Sequence, residues 1–290
     1  MSPTRHPKRT LSPRLLAGKT VGVVGLGHIG GSIVKRLSTC RPRVTLLGTD
    51  TDTRISQRAS RYCRWCLSLD QLVLESDIVI LAVHVPTILT LLNRVASIAA
   101  TRTQRSRLVV ADTGTIKAPV ARAARRHRAA FDFVAMHPLA GSQRPGWDGS
   151  TAGLFHGTPA FYWPEGSVRG ARLIRELIQL LGANPLRLKP EEHDQFIAMT
   201  IGLPHMLAYS AQGLADDLAV PSALRGRSWG SLTRVAASDP AMVAGFLSTN
   251  SKSTSVAVRQ LERRLARLKT ALEDPTGRKV ESLLRRWQRV

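Results

Sequence analysis

The sequence predicts an α/β protein: an N-terminal doubly wound, mostly parallel sheet followed by an all-α C-terminal domain. Three observations carry this expectation. A glycine-rich loop follows a short apolar run near the start, and strand-length apolar runs alternate with helical stretches up to residue 189. Beyond Lys189-Pro190 the strand signal gives way to long helical patterns. Strands alternating with helices are the pattern of a parallel sheet covered on both faces.

Residues 1–18 contain Pro3, Pro7, Pro13 and several basic residues, and read as a flexible lead-in. Order is expected from Lys19, with a β-rich run over 19–24 and helical character over 32–37. A second strand is expected over 44–47, closing at Gly48-Thr49-Asp50. The run Ile78-Val79-Ile80-Leu81-Ala82-Val83 has the length of a buried strand and ends at His84-Val85-Pro86. A helix over 87–100, a strand over 108–111, a helix over 117–127 and a strand over 131–135 follow. Late strands at 160–163 and 185–188 flank a helix over 168–181. Past a boundary near 189, residues 256–272 place Val258, Leu261, Leu265, Leu268 and Leu272 on one helical face, with Asn250 and Ser251 available as a cap. The expected division is 1–18 lead-in, 19–189 cofactor-binding domain and 190–290 helical domain. No internal repeat is evident.

Composition narrows the function. With 290 residues, 43% hydrophobic and 21% charged, the chain can bury a substantial core in two domains. No run approaches the roughly 18 apolar residues of a membrane helix, and no apolar segment follows the basic N-terminus as a secretory signal would require. A cytoplasmic protein is therefore expected. The three cysteines include a CxxC at Cys63 and Cys66, but no second pair completes a zinc site, so reduced thiols and no metal are expected. The formal charge of +22 would draw polyanions. The arginines are scattered through stretches such as 122–128 and 259–267, without a nucleic-acid-binding motif, and read as a solvated surface that attracts anionic substrates.

The loop Gly25-Leu26-Gly27-His28-Ile29-Gly30 is a GxGxxG between a strand and a helix. In a Rossmann-type sheet the first glycine makes the tight turn and the second admits a pyrophosphate. The third lets helix and strand pack closely. Asp50, twenty residues after Gly30 at the end of the second strand, can accept hydrogen bonds from a ribose 2′-hydroxyl and would repel a 2′-phosphate. The expected cofactor is NAD in preference to NADP, although Arg54 keeps NADP use open. Gly25, Gly27, His28, Ile29, Gly30, Asp50 and His84 form the expected cofactor set.

Further segments carry a resemblance. They are Gly25-Leu26-Gly27-His28-Ile29-Gly30-Gly31-Ser32, Asp112-Thr113-Gly114-Thr115-Ile116-Lys117, His137-Pro138-Leu139-Ala140-Gly141-Ser142 and Leu154-Phe155-His156-Gly157. Glu192-His193-Asp194, Leu203-Pro204-His205, Thr233-Arg234-Val235-Ala236 and Ser238-Asp239-Pro240 complete the series. In this order the chain resembles the prephenate/arogenate dehydrogenase family over nearly all its length after residue 18. The resemblance implies hydride transfer from C4 of a cyclohexadienyl substrate to NAD⁺ with loss of the ring carboxylate as CO₂, a step of tyrosine biosynthesis. It also implies a homodimer through the helical domain, whose apolar faces exceed what one small layer could bury.

His137 is the candidate proton acceptor, because a neutral imidazole titrates near working pH. It is expected just past a strand, at the carboxyl edge where such sheets hold ligands. Thr115, where the family commonly has Ser, could bond the substrate hydroxyl, orient His137 or cap a helix. Arg234 matches the family's substrate arginine, suited to a bidentate carboxylate contact. His205, Ser142 and Gln143 are further expected substrate contacts, whereas His193 could equally be a domain-interface residue. Gln143 stands where many relatives carry Glu. Ile201-Gly202 replaces a frequent Ser-His, and Ser231 stands where an acid is common. These departures leave prephenate, arogenate and an amino-substituted prephenate as candidate substrates. A general NAD(P)-dependent hydroxyacid dehydrogenase would not explain the segments around Asp112, His137 and Arg234 together. A non-catalytic polyanion-binding homologue, suggested by the charge, would not need His137, Arg234 and the glycine loop intact.

Overall fold

The apolar runs of the first half become the centre of one sheet. Its strands are β1 (Thr20–Val24), β2 (Thr45–Thr49), β3 (Arg64–Trp65), β4 (Ile78–Leu81), β5 (Val109–Asp112), β6 (Asp132–Pro138), β7 (Pro159–Pro164) and β8 (Asn184–Arg187). The computed structural model describes residues 15–103, 106–141 and 144–288. It divides into two compact units, Met1–His193 and Asp194–Val290.

The strand order is β3-β2-β1-β4-β5-β6-β7-β8. Pairing is parallel from β3 through β6, antiparallel between β6 and β7, and parallel again between β7 and β8. Strands β4 and β5 are buried at every position, as a parallel sheet covered by helices on both faces requires. The chain reverses direction across the sheet between β1 and β4, which opens a crevice at their carboxyl ends.

Helices α1 (His28–Leu37), α2 (Ser56–Ala59), α3 (Leu69–Glu75), α4 (Val85–Ala100), α5 (Ala118–Arg125) and α6 (Val168–Leu180) complete this unit. Helix α1 starts at His28, four residues before its apolar pattern becomes readable, because Gly30 and Gly31 occupy its first turn. Cys40, Cys63 and Cys66 are buried free thiols. Burial pushes the Cys63 thiol up to about 12, so the CxxC holds no reactive thiolate at neutral pH.

The expected lead-in is tied down at its end. Residues 15–18 form a turn. The backbone N–H groups of Leu15 and Leu16 donate to the Glu176 carboxylate of α6 at 3.3 and 3.1 Å, and Leu16 is fully buried. Residues 1–14 of that expectation lie outside the described residues.

The chain continues through α7 (Pro190–Ile197), a π-helical turn (Ala198–Gly202), α8 (Leu203–Asp217), α9 (Arg227–Thr233), a 3₁₀ turn (Arg234–Ala237), α10 (Pro240–Thr249), α11 (Ser251–Ala271) and α12 (Arg278–Trp287). Helix α11 is the amphipathic helix expected from the leucine spacing, begun five residues earlier. Asn250 sits at its N-cap position, but its side chain does not cap the helix. Instead Asn250 Nδ2 donates to the Asp194 carbonyl at 2.7 Å. Leu214, Leu218, Leu224, Leu232, Leu265 and Leu272 of this unit are each at least half exposed. No helix among the described residues is long and apolar enough to cross a membrane.

Leu16→Ala should lower unfolding stability by about 2–5 kcal/mol, the usual cost of emptying a buried leucine site. Urea denaturation measures this, and an unchanged midpoint would mean that the turn contributes nothing.

Candidate active site

The glycine loop lies at the carboxyl end of β1, beside the crevice between β1 and β4. Gly25 adopts φ +87°, and a Cβ on Gly30 would stand 1.8 Å from the Gly25 carbonyl oxygen, so the turn and the helix–strand approach both demand glycine. A Cβ on Gly27 would meet no protein atom within 4 Å. Gly27 is thus not dictated by packing; it leaves open space over the start of α1. No side chain caps α1 and its first turn holds no acid. Unbonded N–H groups and the positive helix end suit an anionic group there.

The surroundings fit a dinucleotide. Asp50 Oδ2 accepts from the Leu26 N–H at 2.6 Å and Oδ1 from the Asp52 N–H at 2.8 Å, which fastens the carboxylate to the loop. Arg54 forms a two-pronged pair with Asp52, at 2.7 and 2.9 Å. His28 opens α1 with a half-buried ring. Burial lowers its pKa, partly offset by the Gly149 backbone. Ile29 packs against the core. His84 is exposed at the N-cap position of α4 and makes no capping hydrogen bond.

His137 lies inside β6 rather than beyond it, because the antiparallel partner β7 extends the ladder: His137 pairs with Phe161 and Pro138 with Ala160. Its side chain is buried. His137 Nδ1 is 3.0 Å from His193 Nε2, with the rings nearly perpendicular at 78°. The His193 ring packs 4.2 Å from that of Phe161. Between two imidazoles one nitrogen must donate and the other accept, which two neutral rings satisfy. Burial, then His193 and Lys117, hold the His137 pKa well below 6.5. The ring is therefore neutral at working pH.

Beneath it lies a fully buried ion pair. Lys117 Nζ stands 2.5 Å from Asp112 Oδ2 and donates to the Met136 carbonyl at 2.7 Å; both charged side chains have no exposed surface. The Gly114 N–H donates to the same Asp112 oxygen at 3.0 Å. Burial pushes the Asp112 carboxyl up, against the opposing pull of Lys117. Thr115 is half-buried in the loop between them. It is not a helix cap: α5 begins at Ala118 after Lys117, and no side chain bonds its end. Ser142 and Gln143 lie outside the described residues.

In the helical unit, Pro204 lacks an N–H for the helical ladder, and the chain passes it through the π-helical turn. His205 Nδ1 donates to the Ile201 carbonyl at 2.8 Å, which leaves Nε2 as an acceptor 3.4 Å from Ser238 Oγ. The His205 ring meets Phe246 edge-on at 5.3 Å. One turn further along α8, the Tyr209 hydroxyl donates to the Ser238 carbonyl at 2.5 Å. Two residues of α8 thus hold the end of the 3₁₀ turn that Arg234 opens. Arg234 is exposed and makes no ion pair with any described residue. The described candidates thus form a cofactor group and a His137 group in the first unit, and a His205–Arg234 group in the second. Sequence reasoning assigned no role to Lys117 and left His193 open. The only signals in the sequence are Asp112 and Lys117 bracketing one loop and His193 within Glu192-His193-Asp194.

The family model for the prephenate dehydrogenase nucleotide-binding domain matches residues 33–184, and that for the prephenate dehydrogenase dimerization domain matches residues 189–288. The chain belongs to the prephenate dehydrogenase family. It is 26% identical to cyclohexadienyl dehydrogenase of Zymomonas mobilis, over 89% of this chain and 90% of that protein. It is 25% identical to prephenate dehydrogenase of Lactococcus lactis, over 94% of this chain and 76% of that one. Its fold superposes on crystalline prephenate dehydrogenase from A. aeolicus, in complex with hydroxyphenyl propionate and NAD⁺, with a TM-score of 0.83 at 21% identity, covering 97% and 98% of the two chains. The chain is accordingly an NAD-dependent oxidoreductase of the prephenate/arogenate dehydrogenase type.

Two glycine substitutions separate packing from binding in this family member. Gly27→Ala should keep the melting temperature within about 2 °C, as expected where no contact changes, yet weaken NAD binding about tenfold or more. Gly30→Ala should lose folding stability as well. Calorimetric NAD titration beside thermal melts checks both, and unimpaired NAD binding by Gly27→Ala would contradict the assignment of that space.

Proposed function

We propose that this enzyme oxidises and decarboxylates prephenate or arogenate, giving 4-hydroxyphenylpyruvate or tyrosine, with His137 as the proton acceptor. When bound, NAD⁺ supplies the acceptor for the hydride on ring carbon C4. The observation that carries the reading is the buried, neutral His137, whose Nδ1 is committed to His193. That commitment leaves Nε2 to face the C4 hydroxyl. As hydride leaves C4, the C4–O bond gains double-bond character and the hydroxyl proton passes to His137. The ring carboxylate departs as CO₂, and its bonding pair completes the aromatic ring. His137 then returns the proton to the phenolic oxygen and ends neutral.

The other roles follow from charge and hydrogen-bonding capacity. Arg234, exposed and without an ion-pair partner among the described residues, would take a substrate carboxylate through its planar fork. His205, with its tautomer set by the Ile201 carbonyl, offers an accepting Nε2. Thr115 would bond the C4 hydroxyl or steady His137, and Ser142 and Gln143 would complete the substrate contacts. Gly25, Gly27, His28, Ile29, Gly30 and His84 would line the NAD site. Asp50 would take the ribose hydroxyls and repel a 2′-phosphate, and Arg54 is paired with Asp52, which supports NAD over NADP. A homodimer through the helical unit is supported by its exposed leucines and by the dimerization-domain match. We read the surface charge as drawing an anionic substrate rather than nucleic acid, and the site of action as the cytoplasm.

NADH formation with prephenate, arogenate and an amino-substituted prephenate tests the reading. Turnover of one substrate should fall about 10²–10⁴-fold in His137→Asn, the usual worth of a positioned base. No turnover of any of the three by NAD-binding protein would overturn it. Because the pKa of His137 is depressed, the active neutral form should persist below pH 6.5, with the acid limb of kcat/KM lying lower still. His193→Ala removes one influence that lowers that pKa, so the acid limb should move to higher pH while kcat falls more than KM rises. Arg234→Gln should raise KM about 10- to 100-fold, as for loss of a charged hydrogen-bonded contact, without changing NAD affinity. Equal loss of both affinities would remove Arg234 from the substrate site.

A further inference from the structure

The first unit carries a second concentration of polar function away from the glycine loop and His137. Strand β7 runs antiparallel to β6, so Trp163 pairs with Ala135 and Pro164 with Val134. The end of β7 and the start of α6 therefore stand at the amino-terminal edge of the sheet, opposite the edge that carries His137. A cavity of about 450 Å³ opens there, lined by Tyr162, Trp163, Val168, Arg172, Arg175 and Arg187, among others.

Three features distinguish this cavity from an ordinary basic surface. Arg172, Arg175 and Arg187 converge on one space, yet none makes an ion pair with a described residue. The neighbouring acids pair with other arginines. Glu165 holds Arg125 at 3.0 Å through Oε2, its buried Oε1 having no hydrogen-bond partner among the described residues, and Asp132 holds Arg107 at 2.8 Å and Arg169 at 3.7 Å. Glu176 accepts from the backbone of Leu15 and Leu16. Second, Arg172 and Arg175 lie three residues apart on one face of α6, whose first turn holds no acid to offset them. An anion would relieve the repulsion among the three guanidinium groups. Third, the walls are flat and apolar: Trp163 lies beneath the Arg187 guanidinium at 5.3 Å, and Tyr162, Pro164, Val168 and Ala171 complete the lining.

We infer that this cavity is a second ligand site, for a small dianion with a flat aromatic body. The guanidinium forks would grip the phosphate or paired carboxylates, and the ring would lie against Trp163. The volume is within the range of small-molecule sites. A phosphate and a dicarboxylate share the recognised chemistry, and the probes below separate them.

The test is calorimetric titration of the full chain with 1-naphthyl phosphate and, separately, naphthalene dicarboxylate; the tighter of the two identifies the anion. Either should bind at one site per chain and weaken about tenfold or more in Arg172→Gln/Arg175→Gln/Arg187→Gln, as loss of charged hydrogen bonds requires. NAD affinity and the melting temperature should be unchanged. Should the triple variant melt early, the single exposed change Arg187→Gln replaces it, with about a threefold or larger loss expected. Trp163→Leu should weaken the naphthyl probes but not inorganic phosphate. Four outcomes overturn the inference: no binding of either probe, equal binding by the arginine variants, 1-naphthol binding as tightly as its phosphate, or a short DNA duplex displacing the probe stoichiometrically. The last would make the patch a polyanion surface instead.

Discussion

The Lys117 ammonium is the constraint on which the His137 region depends. It is buried without exposed surface, and its Nζ bridges the Asp112 carboxylate at the end of β5 and the Met136 carbonyl of β6. A buried charge is tolerated only where hydrogen bonds and a counter-charge replace water. Asp112 and Met136 cannot drift apart without stranding it. The residue after Met136 is His137, so the clamp fixes the backbone from which the imidazole projects. Lys117 is also one of the influences that keep His137 neutral. The same side chain that fixes the backbone beside the ring thus adds, after burial and His193, to what keeps the ring neutral.

How much of this was legible in the sequence depends on where the deciding contacts lie. Strands β1, β4 and β5 were readable because a buried parallel strand is a continuous apolar run. The two-residue edge strand β3 and the short helix α3 left no comparable signature. Helix α1 is readable only from its second turn, because Gly30, packed on the Gly25 turn after β1, and Gly31, packed on Ser150 and Trp147, erase its apolar periodicity. Residues 15–18 looked like a loose lead-in by composition, yet Glu176 ties them down from 160 residues away. Asn250 looked like a cap by type and position, but the Asp194 carbonyl won its side chain.

The same reasoning applies to the site. The glycine loop and Asp50 announce themselves because their partner is backbone geometry close by in the chain. The His137–His193 pair spans 56 residues, and nothing in either local segment specifies that contact. His137 was recognised through its motif, whereas its supporting shell needed the fold. Pro204 signalled a disturbed helix, but the π-helical turn and the resulting tautomer of His205 follow from which carbonyl lies opposite the ring.

The exposed leucines of the helical unit bear on the behaviour of the chain in solution. Leu214, Leu218, Leu224 and Leu272 leave apolar side chains exposed on the helical unit, where they favour association. A formal charge of +22 acts in the opposite direction, since like-charged molecules repel over roughly a Debye length, about 8–10 Å in physiological salt. Colloidal repulsion thus guards against indiscriminate clumping, leaving only contacts whose shape fits well enough to overcome it. Concentrated salt would strip that guard away, so gentle ionic strength is the natural condition for handling this protein.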